Sequence, residues 1–292
     1  MGHYIPVDNS RKINHVLILT LLLNSLVAAA KILYGYFANS ISITSDGFHS
    51  LFDGISNILG LIGIWIASHP PDEKHPYGHR KFETLFTIAI SFMIFITCFQ
   101  ILKKIYFSFR EPSITLVSTS SFMVMLATIA VNIFVAKYEM KKGRELKSDF
   151  LIADSMHTKS DILASSAVIM SLMFIKLGYQ LSDSIVGLLI AFFIAKMGYE
   201  ILKKATETLV DTVCINTYVI ESLVKGINGV KGCENIRTRG SENSIYLDMR
   251  VSVEPDMSTE KAHDIADNIE DMIKKEFPTV IDVVVHIEPE KK

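Results

Sequence analysis

Six apolar runs, each near the ~20 residues that a bilayer requires, lie near 15–38, 41–68, 84–106, 113–136, 149–175 and 181–202, and beyond about residue 208 the pattern changes. The runs predict membrane-spanning helices. Short connections poor in bases fall at 38–40, 107–112 and 177–182. The other side collects Arg11 and Lys12, then Lys74, Arg80 and Lys81, then Lys137, Lys141, Lys142, Arg144 and Lys147, then Lys203 and Lys204. An excess of bases marks the cytoplasmic side, which predicts that both termini are cytoplasmic. Lys103, Lys104 and Arg110 run against that assignment. The first run continues past Ala28-Ala29-Ala30 to Tyr36, longer than a signal-peptide core, so it reads as an uncleaved span. The fifth is the weakest, because Asp149, Asp154, His157, Lys159 and Asp161 crowd its first half. It is kept because Ile162–Ile175 is strongly apolar and its loss would put the tail on the other side.

After Asp211 the pattern is that of a small soluble domain. Tyr218–Ile227 reads as an amphipathic helix ended by Asn228-Gly229. Gly232–Thr238 and Ser244–Val253 alternate like strands around a turn at 240–243. Ser258 caps a second helix that runs to Phe277 and is closed by Pro278, and the β-branched run Val280–Ile287 suits a third strand. The expected architecture is a six-helix membrane domain over 1–207, followed by a small α+β, ferredoxin-like αββαβ domain over 208–292. The open sheet face or a helix edge of that unit is free for pairing.

Composition agrees with this division. At 49% hydrophobic residues and mean hydropathy +0.33 the chain is too apolar for an ordinary soluble protein. Bases exceed acids 19 to 15 over 1–207, and acids exceed bases 16 to 10 over 208–292. An acidic tail argues against a nucleic-acid partner and leaves membrane lipid as the surrounding of the first part. Cys98, Cys214 and Cys233 form no paired framework; Cys98 reads as packing in an apolar span, and the other two as free thiols in a reducing compartment.

The polar residues inside the spans carry the chemistry. Asp46-Gly47-Phe48-His49-Ser50-Leu51-Phe52-Asp53 and Asp154-Ser155-Met156-His157-Thr158-Lys159-Ser160-Asp161 share the frame D-x-x-H-x-x-x-D, one in the second span and one in the fifth. On a helix, positions i, i+3 and i+7 lie on one face. Ionisable groups at that depth cost at least ~2.5–3.5 kcal/mol each on insertion scales, so they are rarely left without a partner. One such pair also suits an interhelical hydrogen bond, and a metal-free proton relay uses the same residue types. Two pairs together supply His49, Asp53, His157 and Asp161, an N2O2 set suited to a tetrahedral divalent ion such as zinc. Their placement in the middle helices of two three-span halves is compatible with an inverted repeat whose site lies where the halves meet.

Between spans two and three, Asp72, His75 and His79 offer one oxygen and two nitrogens from a loop that Pro76 and Gly78 let turn back on itself. In the tail, His286 and Glu288 point to one face of a strand, and His263 stands on the second helix. No H-E-x-x-H zinc-protease helix and no Walker A loop occurs, so neither metalloprotease chemistry nor ATP coupling is expected within the chain.

As a set, the six spans, the paired H-x-x-x-D, the stretch H-P-Y-G-H-R-K-F-E at 75–83, Leu209-Val210-Asp211 and the αββαβ tail resemble the cation diffusion facilitator family. The resemblance covers about 12–290. It implies a homodimeric, proton-coupled exporter of divalent transition metals, not an enzyme. It places the transport site on His49, Asp53, His157 and Asp161 and a second metal site on Asp72, His75 and His79. A tail site would fall on Glu234, Arg250, His263, His286 and Glu288. Because Arg250 cannot ligate a metal, at most one ion held by His263, His286 and Glu288 or Glu234 is expected there. Lys81 and Asp211 match a charge pair that stabilises the dimer at the junction of membrane and tail.

Histidine in the second-span pair resembles the zinc-type members, with Zn2+ as substrate and as a regulatory ligand of the tail. The same donors also accept Fe2+, Co2+, Cd2+ or Mn2+. The expected mechanism is alternating access, with protons displacing the ion because its ligands hold metal only when deprotonated. The alternative is a membrane metal sensor or assembly scaffold that binds an ion without moving it.

Overall fold

The computed structural model describes residues 7–37, 41–110, 119–176, 182–241 and 244–290. Chain contacts divide it into two units, Tyr4–Ala205 and one formed mainly by Thr206–Lys292.

The first unit is built on six helices: α1 (Val7–Phe37), α2 (Ile41–Ala67), α3 (Lys81–Arg110), α4 (Thr119–Leu146), α5 (Asp149–Lys176) and α6, which runs Ser182–Leu209. At 1.5 Å per residue each is about 40 Å long or more, against a hydrocarbon core of about 30 Å. Among the described residues, Asn9–Tyr34, Lys81–Phe107 and Phe122–Leu146 are long and apolar enough to cross a bilayer, and Gly54–Ala67 is a shorter apolar stretch. The charged first half of α5 interrupts its apolar character, as its sequence pattern anticipates. The helices outrun their apolar runs where good helix formers follow. Thus α4, with an apolar run that stops near 136, continues through Lys137–Leu146, a segment rich in Lys, Glu, Met and Arg. A left-handed Lys147 (φ 55°) then ends it, with Ser148 N donating back to Gly143 O over 2.9 Å.

The bundle is apolar outside, and its apolar core also encloses polar side chains. Leu22, Leu26, Trp65, Phe92 and Phe192 are exposed, whereas Thr20, Asn57, Glu139, Asp154, His157 and Ser160 are buried. Such an exterior suits lipid. Inside, α1 packs on α2, α4 on α5, and α3 on both α2 and α5. Helices α2 and α5 approach closely at Gly60, where a Cβ would run into the ring of Phe150 and touch Leu17. That contact brings the two motif-bearing helices together.

The N-terminus of α5 is held from a distance. Glu83 in the first turn of α3 is buried, and its Oε1 accepts from Ser148 Oγ (2.6 Å) and Phe150 N (3.3 Å). A carboxylate thus caps the helix that carries His157 and Asp161.

In the second unit, β1 (Val230–Ser241) pairs antiparallel with β2 (Ser244–Val253), and β2 pairs parallel with β3, the strand Val280–Pro289. The parallel pairing requires a crossover, supplied by α8 (Thr259–Glu276). Ser258 caps α8 and Asn216 caps α7 (Thr217–Lys225) through side-chain oxygens that accept from Lys261 N and Tyr218 N. Ile265, Ile269 and Ile273 of α8 join Ile220 and Val224 of α7 over Leu247, Met249 and Val251 in one core. The order αββαβ is the expected one, with both helices on one face of the sheet. β1 begins two residues before its expected start, and β3 runs two beyond its expected end.

Candidate metal sites

Helix α5 presents its motif inward. His157 is 4% exposed, and with Asp161 it lines a cavity of ≈ 20 Å³ shared with Asn24 of α1, Ser50 of α2, Asn132 of α4 and Thr158. That is room for about one water or one bare ion. Four helices therefore converge on the His157–Asp161 pair, among them the helix that carries the other copy of the motif. His49 and Asp53 lie within α2, and their side chains are outside the described residues. Ser50, next to His49, is on the cavity wall and accepts from the buried ammonium of Lys31 over 2.8 Å.

Beside the cavity runs a polar network that the motif only half announced. Asn57 Nδ2 donates to Asp154 Oδ2 (2.9 Å) and to Thr20 Oγ1 (3.2 Å), and Asn24 Nδ2 donates to Asn57 Oδ1 (3.3 Å). Thr158 Oγ1 reaches Glu139 Oε2 at 3.4 Å. Amides in an apolar run were the available signal for Asn24 and Asn57. Glu139 falls past the apolar part of its helix and looks like a surface residue in the sequence.

The loop constellation is assembled. Asp72, His75 and His79 place one ligand atom each within 4.8 Å of one another. The backbone makes this happen: Asp72 Oδ1 accepts from Lys74 N (3.0 Å) and His75 N (2.6 Å), and Gly78 turns in the left-handed region at φ 83°. His75 Nδ1 and His79 Nε2 then face the carboxylate at 3.2 and 3.5 Å, with their rings 4.3 Å apart. The backbone N–H of His75 holds the Asp72 carboxyl below its ordinary range, and the two nearby imidazoles add to that. It is an ionised oxygen beside two nitrogens, a suitable arrangement for a divalent ion.

The tail residues are more scattered. Glu234, Arg250 and His286 stand side by side across the three strands. Arg250 Nε takes Glu288 Oε1 at 3.0 Å, which also lies 3.4 Å from His286 Nε2. His263 faces Asp267 on its own helix at 3.7 Å. Among the described residues, the loop trio is the group of three such ligands that comes together within one chain. Lys81 opens α3 in the first unit, and Asp211, left-handed at φ 56°, closes α6 in the second.

Compared with known proteins, residues 17–210 match the cation efflux transmembrane domain, and 215–290 match the cytoplasmic domain of cation efflux proteins. The chain belongs to the cation efflux family. An uncharacterized transporter of Methanocaldococcus jannaschii is 34% identical over 87% of this chain and 91% of its own length. The manganese efflux system protein MneP of Bacillus subtilis is 29% identical over 94% and 95%. A solved MamM C-terminal domain, 23% identical, covers 26% of this chain and 94% of that one at a TM-score of 0.25. Membership makes this cation efflux protein a multi-pass membrane transporter and not an enzyme.

Proposed function

We propose that the chain exports a divalent transition metal from the cytoplasm, in exchange for protons, through a site formed by His49, Asp53, His157 and Asp161. The observation that carries this reading is the cavity on which His157 and Asp161 converge with residues of α1, α2 and α4. Two imidazoles and two carboxylates suit zinc, and such ligands exchange metal for protons directly. Alternating access then exposes the cavity to one side at a time. With the basic loops inside, both termini are cytoplasmic, and the loop trio Asp72, His75 and His79 is a second ion site at that face. The tail pairs two copies of the chain, as expected from the dimerisation module matched at 215–290. Lys81 and Asp211 reinforce the dimer, and His263, His286 and Glu288 or Glu234 form the regulatory site. A second reading of the cargo is Mn2+, favoured by the likeness to MneP and MneS, both manganese efflux proteins of Bacillus subtilis.

The test is metal flux in proteoliposomes under an imposed proton gradient, with Zn2+, Mn2+ and Fe2+ compared and Asp161→Ala beside the unaltered chain. Gradient-driven flux that disappears in Asp161→Ala is the expected result, and the fastest ion names the cargo. Flux indifferent to the gradient removes the antiport. Tight binding with no flux of any ion, in folded protein, turns the reading to a sensor or scaffold.

A further inference from the structure

Asn24 of α1 and Asn57 of α2 are amides inside apolar runs, and the direction each one faces is set by its partners. Asn57 is 1% exposed, and its Nδ2 has an oxygen for each of its hydrogens, Asp154 Oδ2 at 2.9 Å and Thr20 Oγ1 at 3.2 Å. Thr20 donates its own hydroxyl hydrogen to Leu17 O, 3.2 Å away, so it offers Asn57 only lone pairs. Turning the Asn57 amide over would set its oxygen against that hydroxyl oxygen with no hydrogen between them. The orientation therefore holds whether or not Asp154 carries a proton. Asn57 Oδ1 is left facing Asn24, and a carbonyl oxygen can only accept.

The same reasoning passes to Asn24. At 3.3 Å from Asn57 Oδ1 it has to present its NH2, as it does. Its Oδ1 is then the polar atom turned away from Asn57. Asn24 also lines the cavity of ≈ 20 Å³ beside His157 and Asp161, together with Ser50 and Asn132. A space with room for about one bare ion leaves every polar atom on its wall close to whatever occupies it. An amide oxygen carries no titratable proton, so it acts on the choice of ion without altering the number of protons exchanged. As a carbonyl donor it suits Mn2+, whereas a four-coordinate zinc set of two imidazoles and two carboxylates has no need of a fifth ligand.

We infer that Asn24 Oδ1 is an oxygen donor to the ion held by His157 and Asp161, and that it shifts the choice of cargo toward Mn2+ and away from Zn2+. The inference rests on the transport site proposed above. Thr20 and Asn57 act as positioning residues: neither touches the ion, and together they keep the Asn24 oxygen, rather than its NH2, available to the cavity.

The experiment uses the full chain in detergent, with His75→Ala as background to disable the proposed loop site, and Mn2+ and Zn2+ titrated separately by equilibrium dialysis. Binding at the membrane site is the part that a further Asp161→Ala removes. Asn24→Ala, with Asn24→Ser as a second small variant, is expected to lower the Mn2+/Zn2+ affinity ratio of that part at least tenfold at unchanged elution volume. Asn24→Asp, which keeps an oxygen at the position, is expected to retain the preference for Mn2+. A merely structural role weakens both ions alike, and that outcome overturns the inference, as does an unchanged ratio in the folded variants. The proposed function fails by a different mark: Asp161→Ala then removes no ion at all, and the role of Asn24 falls with it.

Discussion

Asp72 does two jobs with one carboxylate, and they can be separated. Its Oδ1 organises the loop by accepting backbone N–H groups, and its charge faces His75 and His79. Asn at this position keeps an oxygen for the turn but loses the charge, whereas Ala loses both. Asp72→Asn is therefore expected to retain the loop's hydrogen-exchange protection yet lose at least tenfold in zinc affinity at this site. Asp72→Ala is expected to lose both, as measured by exchange mass spectrometry and calorimetric titration. The acid behaviour follows in sign. Since the folded carboxyl is held below its ordinary value, its support of the loop is complete above the unfolded-state value near ~3.9 and fades as pH falls through the folded one.

At the scale of elements, the packing of α2 against α5 depends on the absence of one side chain. Gly60→Leu is expected to abolish transport and lower the yield of folded protein, because the new side chain takes the place of Phe150. Gly60→Ala combined with Phe150→Ala should regain part of the folded yield, whereas Gly60→Ala alone should not, in fluorescence-detected size exclusion. The cap on α5 makes a second prediction. Glu83→Ala strips the acceptor from two buried donors, at a cost of about 1–3 kcal/mol each. Its melting temperature should drop while metal stoichiometry is kept, and Glu83→Gln should recover part of the loss.

These two contacts also mark where the sequence stops being readable. The helices, the strand order and the capping serine are local matters of periodicity and propensity, and Ser244–Val253 was placed to the residue. The loop trio was legible because its three ligands lie within eight residues. Glu83, by contrast, acts on a helix that begins 66 residues later, and nothing near Asp149 announces it. Glu139 sits in a stretch of charges where solvent is the natural guess, and only the tertiary packing of α4 on α5 buries it. Glu234, His263, His286 and Glu288 of the tail were named one by one, but whether they meet depends on how α8 and the strands set their side chains, and His263 faces Asp267 on its own helix.

For the molecule as a whole, the division into two units gives a test of what the tail contributes. A chain ended after Asp211 retains every helix of the first unit and the loop trio. It should insert and bind metal in the membrane domain, but dissociate to monomers at concentrations where the full chain remains dimeric, as measured by mass photometry. Equal dimer fractions would assign the association to the membrane domain instead.

The polar interior has an evolutionary consequence. Apolar replacements of buried polar or charged networks are often neutral or stabilising, so exchanging Glu139, Asp154 and Asn57 for leucine- or methionine-like residues should raise the thermal tolerance of the bundle. The same changes would remove the polar groups that border the cavity lined by His157 and Asp161. Selection for heat resistance alone would thus drift toward sturdy, inert versions of this protein, and the acids and amides inside it persist only where its traffic in ions is itself under selection.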